Sequence, residues 1–205
     1  MPPKRRSNLE RRQESTEAVL DAALSLFVSR GYQATTMADI AGKAGLTKGA
    51  VYFYFKDKLA LVTELLDRSE RTLYRPFFDQ LEESNEPAQI KISQFLNWLA
   101  RIAVENRDEL LLPVLISLEF HDEASPALDV VRSIRQQMKS KLVDIFNMGH
   151  DDGTLRMETA PEPMAEAMMA FSDGLLLQWY RRAGEMDGEA LSRSARDMVL
   201  NGIKR

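Results

Sequence analysis

The amino-acid sequence predicts an all-α fold of about nine helices. Apolar residues recur at steps of three and four along most of the chain, which is the period of helices that bury one face. Alternating apolar and polar runs long enough for strands are nearly absent, and helix-breaking residues fall mostly between the periodic segments. We therefore expect an N-terminal head of three short helices over residues 1–58 and a helical body over residues 59–205.

The first predicted helix follows a basic N-terminal arm, begins near residues 11–15 and ends at Gly31. A glycine at this place predicts a C-cap, because glycine adopts the left-handed backbone conformation at low cost. The side chains expected to form the buried stripe of this helix are Val19, Leu20, Ala23, Leu24 and Phe27.

The body is predicted to begin with a long connector helix over residues 57–83, which ends before Pro87. The apolar segment after residue 109 contains Pro113, which we expect to interrupt or kink a helix. The other helices predicted in the body cover residues 88–104, 126–146, 164–182 and 189–203.

The composition is that of an ordinary globular protein and excludes several kinds of site. Of the 205 residues, 44% are hydrophobic and 28% are charged, and none is cysteine, so disulfides, thiol nucleophiles and thiolate metal sites are excluded. The two histidines have no metal-ligand spacing, and no hydrolase, phosphate-loop or dinucleotide motif is present. We expect no metal, no cofactor and no enzyme activity.

The segments at the N-terminus and around residues 110–120 do not predict a membrane or secreted protein. The basic start lacks the apolar run of a secretory signal, and the most apolar stretch is about half a membrane span. The expected location is the bacterial cytoplasm, at the nucleoid when bound to DNA.

The charge is distributed unevenly between head and body. Residues 1–60 hold 10 Lys and Arg against 6 Asp and Glu, whereas residues 61–205 hold 17 against 25. A basic head on an acidic body is typical of a protein whose one end meets a polyanion, although chance clustering on a solvated surface gives the same pattern.

Residues 36–58 have the pattern of a DNA-binding helix-turn-helix. Thr36 and Asp39 form a capping-box pair, Gly45 allows a tight turn, and Thr47 is a good N-cap for a second helix. The side chains expected to hold the motif together are Ile40, Ala44, Leu46, Val51 and Phe55.

The remaining faces of the motif carry residue types that suit DNA. Lys48 offers a phosphate or guanine contact, and small side chains beside it let the backbone approach base edges. The competing interpretation is that the aromatic run over residues 52–55 is a small core, which we favour for Phe55 and leave open for Phe53. The predicted DNA contacts are Thr36, Thr47, Lys48, Gly49, Ala50, Tyr52, Phe53, Tyr54 and Lys58.

Residues 27–32 (FVSRGY), 35–41 (TTMADIA) and 48–58 (KGAVYFYFKDK) together resemble the N-terminal signature of the tetracycline-repressor (TetR) family. Tyr54 stands where a phosphate-contacting histidine is frequent in that family, and Leu46 stands at a position that is polar in some relatives. The resemblance implies a double-stranded DNA operator as partner, a C-terminal domain for dimerisation and effector binding, and a dimeric, ligand-responsive repressor.

The predicted helix over residues 164–182 independently suggests dimerisation. It carries two adjacent apolar stripes, which need two burial surfaces, and the final helix adds a third apolar face. A four-helix bundle made by two helices from each chain satisfies this pattern, and a helix fully buried within a monomer is the alternative. The residues predicted at the dimer interface are Ala167, Ala170, Gly174, Leu191 and Met198.

An effector site is predicted from aromatic and methionine side chains of the body, with His121 or Gln178 as polar anchor. The same side chains at helical spacing are more often part of a plain core. An architectural DNA binder and an activator are the alternative functions. The effector is expected to be small and apolar. The residues predicted to line its site are Trp98, Phe120, His121, Met138, Met168, Phe171 and Trp179.

Overall fold

The structure is a computed structural model that describes residues 8–120, 124–155, 158–182 and 185–203. These residues form helices joined by short connections, and the part of the chain described contains no strand. The helices are α1 Asn8–Arg30, α2 Met37–Lys43, α3 Lys48–Tyr54, α4 Lys58–Ser69, a π-helical turn Glu70–Tyr74, α5 Arg75–Glu83, α6 Ala88–Glu105, α7 Arg107–Glu119, α8 Pro126–Asp151, α9 Pro161–Arg181 and α10 Gly188–Ile203. Because α4, the π turn and α5 are contiguous, the described residues form nine rods, which confirms the all-α prediction.

The ends of the head helices are set by local side-chain and backbone bonds. Gly31 (φ +87°) and Gly45 (φ +67°) adopt the left-handed conformation and end α1 and the turn after α2. The N–H of Asp39 donates to Oγ1 of Thr36 at 3.1 Å, and the N–H of Thr36 donates to Oδ2 of Asp39 at 2.9 Å. The predicted capping box is therefore present, and α2 starts where the sequence placed it.

The three head helices are held together by apolar side chains at the predicted positions. Val19 and Phe27 of α1, Ile40 of α2 and Val51 of α3 are all buried. Burying one such side chain contributes about 1.5–3 kcal/mol to stability, so these contacts outweigh the caps in fixing how the three helices pack.

The connector predicted over residues 57–83 is one rod with a π-helical turn in its middle. Pro76 lacks an N–H, and its ring would collide with the carbonyl of Thr72 in a regular α-helix. The preceding turn widens, so that the N–H of Arg75 donates to the carbonyl of Glu70, five residues back. Tyr74, the last residue of the widened turn, is buried in the body.

The body surrounds α7, whose central residues are buried between α1, α4, α6 and α8. The helix runs without interruption from Arg107 to Glu119, so Pro113 does not interrupt it, and a kink at this residue stays a prediction. The physical reason is that Leu111, Leu112 and Ile116 are buried around the proline, and this packing offsets the one backbone hydrogen bond that proline removes.

None of the described helices combines the length and apolar character that a membrane span requires.

Candidate DNA-binding surface and effector cavity

The outer face of α3 is exposed, and its inner face is anchored in the head. Val51 and Phe55 are buried, whereas the side chains of Tyr52 and Phe53 are 46% and 72% exposed. Phe53 is not part of a core, because most of its side chain is exposed. A large exposed aromatic ring on a short helix is available for contact with another molecule.

Two cationic side chains lie next to these exposed rings. The Lys48 ammonium is 5.7 Å from the ring centroid of Tyr52, and the Arg12 guanidinium of α1 is 5.8 Å from that of Phe53. Basic groups interleaved with aromatic rings suit a phosphate backbone. Arg12 was not among the predicted contacts, although the basic pair Arg11-Arg12 at the start of α1 was a signal for it.

The two predicted contacts at the helix starts also cap their helices. Oγ1 of Thr47 accepts from the N–H of Ala50 at 3.2 Å, and the hydroxyl of Thr36 donates to Oδ2 of Asp39 at 2.5 Å. This hydrogen bond and the one from the Thr36 N–H lower the pKa of the Asp39 carboxyl. Both threonines are exposed, so a DNA contact by either stays a prediction.

Lys58 has an intramolecular role. Its ammonium donates to the carbonyls of Tyr32 at 2.6 Å, Thr35 at 2.8 Å and Gln33 at 3.3 Å, and it lies 4.2 Å from the Tyr32 ring centroid. Burial lowers the pKa of this ammonium, and the nearby Glu119 carboxylate opposes that shift. Its predicted phosphate contact stays a prediction, and such a contact would compete with three existing hydrogen bonds.

The body contains a mostly apolar, partly open cavity of about 70 Å³ between the rod, α6, α7, α8 and α9. Two of the predicted effector residues, Trp98 and Met138, line it. The full lining is Tyr74, Phe95, Trp98, Leu99, Leu110, Pro113, Val114, Val131, Ile134, Arg135, Met138, Met169, Ser172, Asp173 and Leu176.

The polar groups of this cavity come from side chains that the sequence did not single out. Arg135 donates to Asp173 at 2.8 Å, and the Ser172 hydroxyl donates to the Met168 carbonyl at 2.8 Å. The hydroxyl of Tyr74 makes no hydrogen bond with another described residue, and its side chain is buried. Burial and the Asp173 charge raise the pKa of Tyr74, so the phenol stays protonated.

Two family models match the chain, one in its N-terminal part and one in its C-terminal part. Residues 19–65 match the model for bacterial regulatory proteins of the tetR family, and residues 85–203 match that for a tetracycline-repressor-like C-terminal domain. The chain belongs to the TetR family. Its members are DNA-binding transcriptional regulators and not enzymes.

Individual relatives agree with this assignment over nearly the whole chain. The chain is 31% identical to the transcriptional regulator TtgR of Pseudomonas putida, over 85% of this chain and 84% of TtgR. It is 28% identical to the transcriptional repressor BepR of Brucella suis, over 81% and 80% of the two chains. The crystal structure of the MbdR regulator from Azoarcus sp. CIB superposes with a TM-score of 0.85 at 34% identity, covering 92% of this chain and 98% of MbdR.

The other predicted effector residues of this TetR-family protein lie away from the cavity. Phe120 packs on Tyr32 of the head with ring centroids 4.7 Å apart, and Trp179 lies 5.5 Å from the Arg107 guanidinium. Met168 and Phe171 are on α9 but outside the cavity lining. The predicted anchor Gln178 is exposed, and the other, His121, falls outside the described residues.

Trp179 lines a second cavity, of about 60 Å³, between α6, α9 and α10. Leu99 and Leu176 border both cavities and form the partition between them. The predicted interface residue Leu191 also borders this second cavity.

The predicted dimer residues are mostly on open surfaces of the single chain. Ala167, Ala170 and Gly174 are exposed along one side of α9, and Met198 of α10 is 68% exposed. The opposite side of α9 is buried in the body through Ala165, Met168, Met169, Ser172 and Leu176. A Cβ added at Gly174 would meet no atom within 4 Å, so this glycine is not required by packing within the chain.

Proposed function

We propose that this TetR-family regulator is a repressor that binds a palindromic operator as a homodimer and leaves it when a small, neutral, largely apolar effector binds in the 70 Å³ cavity. The observation that carries the effector class is the mostly apolar lining of the cavity, to which the Tyr74 phenol adds a hydrogen-bond donor. The repressor assignment is supported by the similar proteins BepR and KstR2, both described as transcriptional repressors.

The proposed DNA contacts are on α3 and at the start of α1. One short helix reads only a few base pairs, so two heads related by a two-fold axis are needed for a long, specific site. The proposed set is completed by Thr36 and Thr47, which also cap their helices, and by Lys58, which also donates to three carbonyls of the head. The contacts on α3 itself are Lys48, Gly49, Ala50, Tyr52, Phe53 and Tyr54.

The proposed dimer interface is the exposed side of α9 together with α10. Small side chains at Ala167, Ala170 and Gly174 allow close helix approach, and Met198 supplies apolar area that lies open in the single chain. Two helices from each chain would then form a four-helix bundle and place the two heads on the same side.

The cavity favours a neutral effector with one hydrogen-bond acceptor. The charges of Arg135 and Asp173 are paired at 2.8 Å, so the cavity has no net charge that would favour an ionised ligand. The Tyr74 phenol, kept protonated by its raised pKa, donates to a carbonyl or hydroxyl oxygen. An effector with this acceptor gains a hydrogen bond from the phenol inside the cavity.

Acetophenone, ethylbenzene and benzoate are matched probes for this chemistry. Calorimetry should detect acetophenone binding with a lower Kd than ethylbenzene, which has no acceptor, and no binding of benzoate. In the Tyr74→Phe variant the preference for acetophenone should fall by about 5- to 10-fold while ethylbenzene is unaffected. Equal loss for both probes would mean that Tyr74 only shapes the cavity, and tighter benzoate binding would overturn the neutral-effector assignment.

Selection of bound genomic fragments by the purified protein tests the operator. We expect the recovered fragments to share an inverted repeat whose half-sites are separated by about one helical turn or a multiple of it. A shared sequence without two-fold symmetry would contradict the dimer model. A reporter placed behind the recovered site distinguishes the two modes of regulation, since deleting a repressor raises expression and deleting an activator lowers it.

A further inference from the structure

The connection between α1 and α2, residues 31–36, is held to the body by a carboxylate. Oε1 of Glu119, the last residue of α7, accepts from the N–H of Tyr32 at 2.9 Å, and Oε2 accepts from the N–H of Gln33 at 3.0 Å. The two bonds join residues 86 and 87 positions apart in the chain. Hydrogen bonds to an ionised acceptor are about twice as strong as neutral ones, so this bidentate contact fixes the connection firmly.

The same connection is held from its other side by the start of the rod. The Lys58 ammonium, which can only donate, makes hydrogen bonds to the carbonyls of Tyr32, Gln33 and Thr35. Glu119 therefore binds the amides and Lys58 binds the carbonyls of one short segment that leads directly into the helix-turn-helix. We refer to Glu119, Lys58 and residues 32–35 together as the clamp.

The backbone around the clamp is shaped to admit the carboxylate. A Cβ added to Gly31 would lie 3.2 Å from Oε1 of Glu119, so the glycine both turns the chain and leaves room for the acceptor. The Tyr32 ring lies 4.7 Å from the Phe120 ring and 5.4 Å from the Phe27 ring, which seals the clamp on its inner side. The end of α7 and the head thus meet through both polar and apolar contacts.

The two clamp side chains stand on the two helices that also form walls of the cavity. On α7, Leu110, Pro113 and Val114 line the cavity within three turns of Glu119. On the rod, Tyr74 lines the cavity, and Lys58 lies about 24 Å away along the same axis. A change in the spacing of α7 and the rod at the cavity is therefore carried to the clamp by continuous helices.

The cavity is too small to admit a ring without such a change. An apolar cavity of about 150 Å³ binds benzene in another protein, and the cavity here has about 70 Å³. Close-packed walls shift as units when they are overfilled. A ligand of the proposed class is therefore expected to displace at least one wall, and α7 and the rod are the two walls that reach the clamp.

We infer that Glu119 is a positioning residue for DNA binding, and that filling the cavity weakens DNA binding by displacing the Glu119 carboxylate from the amides of Tyr32 and Gln33. The effector part of this inference rests on the proposed function, whereas the positioning role does not. Releasing one side of the clamp changes the orientation in which α2 and α3 are presented, and the two heads of a dimer then no longer match both half-sites together.

The first test needs neither effector nor operator. Glu119→Ala removes both acceptors, and hydrogen exchange of the Tyr32 and Gln33 amides should accelerate by about tenfold or more, while amides in α8 and α9 keep their rates. Glu105→Ala is the matched control, because it removes the same charge from the exposed end of α6. Unchanged exchange at the two amides in a folded Glu119→Ala protein would overturn the positioning role.

The second test fills the cavity by mutation instead of by ligand. Val114→Phe enlarges the α7 wall, and Ser172→Met is a second filling variant on α9 that guards against misfolding of the first. The DNA probe is the fragment recovered by genomic selection. Each filling variant should weaken binding by about 5-fold or more when Glu119 is present and by less than about 2-fold when it is combined with Glu119→Ala.

The outcomes separate this inference from the proposed function. If a filling variant weakens DNA binding equally with Glu119 and with Glu119→Ala, the effect of the filled cavity reaches the head without Glu119, for example through Leu99 and Leu176. This result would refute the clamp as the link. If the filling variants weaken DNA binding only when Glu119 is present and acetophenone does not bind, the clamp is correct and the effector class is wrong. Exchange at Tyr32 and Gln33 reports on the clamp in either case.

Discussion

The head and the body of this regulator differ in how their functional residues are brought together. Most residues of the proposed DNA-binding surface lie within one seven-residue helix, α3, and the turn before it, and the others are Thr36, Lys58 and Arg12. The cavity, by contrast, draws its lining from the rod and four further helices, and its ion pair joins Arg135 to Asp173 across 38 positions. A local site can be identified by spacing, whereas a site built from five rods depends on how every rod packs.

The largest effect is expected from blocking the proposed interface of the body. Gly174→Trp places a bulky ring on the exposed side of α9, where the chain itself leaves open space, so the monomer should fold while the dimer does not form. Sedimentation should show monomers, and operator affinity should fall by about 100-fold or more because the two half-sites are no longer bound together. A persisting dimer would move the interface to another face of the protein.

The next largest effect distinguishes the buried side chains of the head from its exposed ones. Ile40→Ala removes a fully buried side chain and should lower the free energy of unfolding by about 2–5 kcal/mol. Phe53→Ala, on the exposed face, should change that free energy by less than about 0.5 kcal/mol while weakening DNA binding. Urea unfolding and operator titration measure the two quantities, and a large loss of stability in Phe53→Ala would mean that the ring packs against the protein.

Electrostatic interactions of the proposed DNA-binding surface should appear in the salt dependence of DNA affinity. Lys48→Ala and Arg12→Ala should each reduce the slope of log affinity against log salt concentration by about 0.9 for each phosphate that the removed side chain neutralises. Arg101→Ala, which removes an exposed charge from the body, is the control and should leave the slope unchanged. If Lys48→Ala altered affinity without altering the slope, its role would be a base contact.

The smallest effect concerns the capping box. Thr36→Ala removes the side-chain hydrogen bond that contributes most to lowering the Asp39 pKa, and the melting temperature should fall by about 3 °C at neutral pH. A lowered pKa stabilises the folded protein above the ordinary pKa of the carboxyl, and this contribution is lost as the pH falls through the lowered value. The difference between wild type and Thr36→Ala should therefore shrink in acid, and a difference that grew on acidification would contradict the assignment.

The residues that sequence reasoning placed correctly share one property, which is that their signals are local. The Thr36 cap, the Gly45 turn and the buried Val51 each depend on neighbours within about four positions, and so does the end of α1 at Gly31. Trp98 and Met138 were predicted for the cavity and line it, but Phe120 and Trp179 were predicted on the same grounds and pack elsewhere. Periodicity shows that a side chain is buried and does not show which neighbour it meets.

The sequence by itself determined the all-α class, the helix-turn-helix and the basic head, because helix period, caps and charge are properties of short segments. Only the tertiary structure decided that a π turn before Pro76 carries Tyr74 into the cavity, and that Glu119 reaches the amides of Tyr32 and Gln33 from the far end of α7. These contacts join residues far apart in the chain. They are set by the packing of whole helices, for which no short stretch of sequence contains a signal.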